Sequence, residues 1–159
     1  MPDGVTVGTN QTYYIGWRFK LSSLEDNHAL FQWKAYGDPM EQNYPIVLKV
    51  EDGHLSFEYY KPGKIEVELF DAPIDTNRWY TVAIRITTST SESGGTIQFF
   101  WGSGGAENLK PGGSSYTGRT FDADTIHPKW GVYGETPGAV DYYVDDLKIG
   151  TTLADVFLG

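Results

Sequence analysis

The sequence predicts an all-β fold: two antiparallel sheets packed as a sandwich of the β-jelly-roll kind. Three observations predict it. Apolar and polar residues alternate with period two along most of the chain. Aromatics reach 15% of the 159 residues, and 19 Gly and 8 Pro punctuate the runs between them, a composition of strands and turns. One turn, Asp52-Gly53, has the residue pair that two-residue hairpins favour.

The elements follow in order. In Thr12–Leu21, Tyr13, Ile15, Trp17, Phe19 and Leu21 share one side, and Tyr14, Gly16, Arg18 and Lys20 the other. In Ala29–Tyr36, Phe31, Trp33 and Ala35 alternate with Gln32, Lys34 and Tyr36. Pro45–Val50 and His54–Tyr60 form the hairpin around Asp52-Gly53. Lys61-Pro62-Gly63-Lys64 turns the chain into Ile65–Phe70. Arg78–Thr88 reads as a long strand with Tyr80, Val82, Ile84 and Ile86 inward. Ile97–Trp101, Lys129–Gly134 and Val140–Ile149 are further strands, and Gly102–Gly118 reads as a mobile surface loop. A short helix is expected only at Leu153–Phe157. With about ten strands and no linker, residues 1–159 make one domain.

Composition excludes several functions. There is no Cys, hence no disulfide, thiolate metal site or cysteine nucleophile. Lys and Arg number 12 against 21 Asp and Glu, a net charge of −9, the opposite of a nucleic-acid binder. No apolar run is long enough to span a bilayer as a helix, and Met1–Asn10 lacks the pattern of a signal peptide. No phosphate-binding loop, nucleophile elbow, zinc-protease or dinucleotide motif is present.

Two stretches could carry chemistry. Gln32 and Lys34 are two residues apart on one strand, so an amide donor and an ammonium share a face beside Tyr36. That pair suits a carboxylate ligand; a solvated sheet face would look the same. In Lys129-Trp130-Gly131-Val132-Tyr133-Gly134-Glu135, Lys129, Gly131 and Tyr133 point one way, and Gly131 leaves room beside the Tyr133 ring. A surface aromatic on an ordinary strand is the plainer reading.

Gln32-Trp33-Lys34 together with Lys129-Trp130-Gly131-Val132-Tyr133 resembles the signature strands of the jelly-roll polysaccharide lyases: glucuronan lyases, alginate lyases of this fold and heparin lyase I. Tyr13–Ser23, Arg78–Ile86 and Tyr142–Gly150 resemble the wider concanavalin-like lectin and glucanase superfamily, so the resemblance runs from about Gln11 to Val156. It implies β-elimination on a 1,4-linked uronate polymer, with glucuronan preferred. Gln32, aided by Lys34 or Arg18, would neutralise the carboxylate. Tyr133 would be the base that takes the C5 proton, the acid that protonates O4, or both, since one residue can perform a syn elimination. Many relatives have His where Lys34 stands; His54 and His127 are the alternatives here. The relatives also carry more chain before the equivalent of Thr12, so an N-terminally shortened version is expected.

Around that centre, Tyr36, Asn43, Tyr44, Glu58, Tyr60, His54 and Lys129 are candidate sugar contacts, with Arg18, Lys20, Lys34 and Lys129 expected to make the groove locally positive. Arg78 and Arg85 are assigned to no site. The chemistry needs no cofactor. A structural calcium is common in the superfamily, with Asp145 and Asp146 as first candidates and Asp122 and Asp124 behind them. A secreted monomer acting on a polyuronate is expected, without nucleic-acid or membrane partners. The alternative is a non-catalytic carbohydrate-binding or lectin-like domain of the same fold. A glycoside hydrolase ranks last, since it needs two carboxylates roughly 5–9.5 Å apart and no ExDxE-like strand is present.

Overall fold

The computed structural model describes residues 6–134 and 140–157. Eleven strands run in the order β1 (Thr12–Leu21), β2 (Ala29–Tyr36), β3 (Ile46–Glu51), β4 (His54–Lys61), β5 (Ile65–Pro73), β6 (Tyr80–Thr87), β7 (Thr96–Ser103), β8 (Lys110–Pro111), β9 (Tyr116–Thr117), β10 (Thr125–Tyr133) and β11 (Tyr142–Gly150). A 3-10 turn spans Ala106–Asn108, and α1 covers Leu153–Phe157. The stretch expected as a loop, Gly102–Gly118, is partly structured: β8 and β9 both pair with β7. Among the described residues no helix is long and apolar enough to cross a membrane.

The strands form two antiparallel sheets, a sandwich of the jelly-roll kind. One has the order β11-β1-β6-β7-β8, with β9 on β7; the other has the order β10-β2-β3-β4-β5. Alternation places the core. Ile15, Trp17, Phe19 and Leu21 of β1, Val82, Ile84 and Ile86 of β6, and Phe31 and Trp33 of β2 are all buried between the sheets. Phe57 of one sheet stacks on Phe99 of the other at 4.4 Å between ring centroids, and Trp17 meets Phe31 at 5.0 Å. Such rings supply both apolar burial and favourable ring geometry. The Asp52-Gly53 turn is as expected, with φ of 51° and 75°, the left-handed pair that a tight hairpin needs.

Candidate functional site

The outward face of the second sheet carries the candidate residues. On β2 and β10 the register pairs Lys129 with Gln32 and His127 with Lys34. Both pairs lie opposite the phase of Phe31, Trp33 and Trp130, which fill the core. Lys129 Nζ lies 5.6 Å from the Tyr133 ring centroid and 5.7 Å from that of Tyr36. Lys34 Nζ is 5.1 Å from Tyr36, and His127 is 5.8 Å from the same ring. Gln32, Lys34, Tyr36, Lys129 and Tyr133, which the sequence names from two stretches almost a hundred residues apart, therefore share one face.

Local structure sets the Tyr133 ring. A bulge interrupts the β2–β10 register between Trp130 and Tyr133. Gly131 has φ of 152°, and a Cβ there would meet the Tyr133 ring at 3.3 Å. Only glycine satisfies both the dihedral and the contact. The Tyr133 hydroxyl donates a long bond of 3.4 Å to the Trp130 carbonyl. Among the described residues the Gln32 side-chain amide makes no hydrogen bond, and the residue is half-buried. Glu135, the last residue of that stretch, lies outside the described residues.

The two lysines differ. Lys34 Nζ donates to Asn43 Oδ1 and to the Ala35 carbonyl at 3.0 Å, with Met40 Sδ at 3.9 Å. Burial lowers its ammonium below the usual value, Lys129 pushes the same way, and Tyr36 and Asp122 oppose them. The Tyr36 hydroxyl raises the Lys129 ammonium above its usual value, with Tyr133 adding to the effect. Lys129 is thus the half-buried, firmly charged cation beside Gln32, and Lys34 is tied to the segment that carries Asn43. Asp122 anchors that segment: its buried carboxylate accepts the backbone N–H of Glu41, Gln42 and Asn43 at 2.8–3.0 Å and pairs with Arg119 at 2.8 Å.

Further across the same face lies a network that the sequence reading did not assemble. Glu58, fully buried, accepts from Lys49 Nζ at 2.9 Å, Ser56 Oγ at 3.1 Å and Tyr60 Oη at 3.0 Å. Lys49 also reaches Glu51 at 3.4 Å and Glu66 at 3.9 Å, and Tyr60 donates to Glu66 as well, at 3.2 Å. Burial works to lower the Lys49 ammonium, but the Glu58 hydrogen bond and the surrounding carboxylates outweigh it and hold it above its usual value. Burial and then Glu58 push the Tyr60 phenol well up, so it stays a neutral donor. Tyr60 packs edge-on against Tyr44 at 5.1 Å. Tyr60 and Glu58, both named from the sequence as sugar contacts, are thus bonded to each other, and Glu58 has no exposed surface.

Other candidates lie elsewhere. Arg18 is on β1, in the opposite sheet, between Thr81 and Asp145 in register. It stacks on Trp79 at 5.0 Å and faces Asp146 at 3.8 Å. Lys20 sits between the Trp79 and Tyr143 rings on that sheet. The cationic face expected from four residues therefore has two of them, Lys34 and Lys129, because alternation gives the side of a strand but not its sheet. His54 is at the β3–β4 turn, 3.0 Å from Asp71. Arg78 pairs with Asp75, and Arg85 bonds Ser115.

The acidic residues expected for a calcium are not gathered into one cluster among the described residues. Among the described residues no three His, Asp or Glu side chains gather as ligands. Asp145 accepts the Asp146 N–H, Asp146 faces Arg18, Asp122 is committed to backbone donors and Arg119, and Asp124 accepts the Asp38 N–H.

The sequence profile described as "Polysaccharide lyase" matches residues 4–148. The chain belongs to the polysaccharide lyase family. Solved structures share the fold at low identity. Endo-β-1,4-glucuronan lyase from the fungus Trichoderma reesei is 14% identical with a TM-score of 0.65, over 96% of this chain and 73% of that one. Alginate lyase A1-II′, of polysaccharide lyase family 7, is 15% identical at 0.63, over 92% and 64%. The catalytic domain of a glycoside hydrolase family 131 protein from Coprinopsis cinerea is 13% identical at 0.65, over 96% and 61%. No curated protein sequence matches the chain.

Proposed function

We propose that this polysaccharide lyase cleaves a 1,4-linked uronate polymer by syn β-elimination on the outward face of β2 and β10. One observation supports the reading above others: Gln32 and Lys129 are register partners, and Lys129 in turn stands beside the Tyr133 ring at 5.6 Å. A carboxylate binder and a proton-transfer group are then neighbours over one sugar.

The chemistry follows from that adjacency. The Gln32 amide donates to the uronate carboxylate while the Lys129 charge compensates it, which acidifies the proton on C5. Tyr133, acting as its phenolate, removes that proton and becomes the phenol. The C5–H electron pair becomes the C4–C5 double bond as the C4–O4 bond breaks, and the Tyr133 proton passes to that glycosidic oxygen, which leaves as the anomeric hydroxyl of the departing sugar. No water is consumed. Lys34 contributes charge from beneath Tyr36 while it holds Asn43. Glucuronan, the preference that the sequence resemblance suggests, is the first polymer to assay, and a secreted enzyme is the corresponding setting.

The test is ultraviolet absorbance of the unsaturated product from glucuronan, polymannuronate and hyaluronan, with Tyr133→Phe alongside. Absorbance that rises with the wild type and is lost in the variant supports the reading. Retention of polymer without any absorbance would favour the carbohydrate-binding alternative.

A further inference from the structure

The outward face of the second sheet changes sign across its strands. The register defines three rows. One runs Lys129, Gln32, Val47, Glu58, Glu68; the next has His127 and Lys34 at one end and Tyr60 and Glu66 at the other; the third has Lys49, Ser56 and Asp71. Every row ends on a carboxylate of β5. Lys49 of β3 stands among Glu51, Glu58, Glu66 and Glu68, and its contacts with the first three leave it no charge to spare. His54 is already held by Asp71, Lys61 is the terminal residue of β4, and Lys64 lies in the turn joining β4 and β5. Glu66 is half-exposed and Glu68 exposed, so both present charge to a ligand.

Strands lie about 4.8 Å apart, so β2 and β5 are separated by about 14 Å, room for more than one sugar unit of a glycan laid across the strands. A homopolymer of uronate bound at Gln32 and Lys129 would bring a neighbouring carboxylate over Glu66 and Glu68. Like charges brought together at a contact surface cost several kcal/mol and act as a filter against the wrong ligand. Hydroxyl and acetamido groups, in contrast, can donate to those carboxylates.

We infer that Glu66 and Glu68 select polymers in which the cleaved uronate is flanked by uncharged sugars, and reject unbroken runs of uronate. The inference rests on the lyase reading for the position of the cleaved sugar and narrows its substrate class away from glucuronan. Glu58, buried under Lys49, Ser56 and Tyr60, acts as a positioning residue that holds the acidic side in place.

The experiment compares hyaluronan, in which glucuronate alternates with N-acetylglucosamine, with glucuronan and polymannuronate. Initial rates of absorbance are measured for the wild type, Glu66→Gln and Glu68→Gln. Mobility in gels cast with each polymer is measured for Tyr133→Phe. The expected result is a kcat/KM about tenfold or more higher on hyaluronan, with each Gln variant recovering activity on glucuronan through a lower KM. Retardation by hyaluronan but not by glucuronan is expected in the gels. Equal or faster cleavage of glucuronan would overturn the inference and leave the lyase reading intact. Absence of elimination on all three polymers would end the lyase reading; the gels then decide the inference, which stands if hyaluronan alone retards the protein and falls for any other pattern.

Discussion

Lys129 and Gln32 face each other across β10 and β2, and the same lysine sits 5.6 Å from the Tyr133 ring. A half-buried cation thereby links the group suited to hold a carboxylate with the group suited to move a proton. Removing the Tyr133 hydroxyl is expected to lower kcat by about 10²–10⁴-fold, the usual contribution of a proton-transfer group. Among the described residues that hydroxyl makes only the 3.4 Å bond to the Trp130 carbonyl, so the unfolding midpoint of Tyr133→Phe should stay near wild type. A large stability loss with kcat unchanged would assign the tyrosine to packing instead.

Gly131→Ala tests the geometry beneath that ring. The φ of 152° strains any side chain, and the new Cβ would press on the Tyr133 ring at 3.3 Å. A destabilisation of about 1–3 kcal/mol is expected, together with a fall in kcat as the ring is displaced. The two effects are read separately by urea unfolding and by initial rates at saturating polymer.

Lys49→Met removes the cation nearest a fully buried carboxylate. Breaking a buried pair from one side leaves the other charge uncompensated, which costs about 3–5 kcal/mol. Lys49 is nearly covered and bonded to Glu58 at 2.9 Å, so a loss in that range is expected in urea unfolding. The double variant Lys49→Met, Glu58→Leu should recover part of it.

The acidic side also sets a pH dependence. Burial first, then a shared hydrogen bond and the charge of Glu58, raise the Glu66 carboxyl above 4.5, with Lys49 and Tyr60 opposing and Glu51 reaching the same lysine. A raised carboxyl means that the folded state holds its proton more tightly than the unfolded chain. The resulting stabilisation is fully present below 4.5 and is lost as pH rises through the folded value. Unfolding free energy measured from pH 4 upward should show this fall in wild type, about 4.5 and above, and a shallower one in Glu66→Gln.

Much of this was legible in the sequence, for physical reasons. The strict alternation of Tyr13–Leu21 and Phe31–Ala35 assigns faces because the side-chain period of a strand is two. The bounds of β1 and β2 match the expectation to the residue. Arg18 shows the limit: its outward phase is correct, but only long-range pairing decides which sheet it joins. The Lys49–Glu58 pair follows from the hairpin register. The Asp52-Gly53 turn sets Lys49 opposite Ser56 and Val47 opposite Glu58, so a lysine and a glutamate on neighbouring outward positions had to meet. Asp122 was named as a weak metal candidate because its sequence neighbourhood is acidic. Its burial under the backbone of residues 41–43 depends on contacts about eighty residues away.

The most direct test of the central claim is mass spectrometry of oligosaccharides released from hyaluronan and glucuronan in water enriched in heavy oxygen. Elimination through Tyr133 forms the C4–C5 double bond without water, so products should be one water lighter than hydrolytic fragments and carry no heavy oxygen. Products of full mass with heavy oxygen at the new end would mean hydrolysis, and would contradict the account.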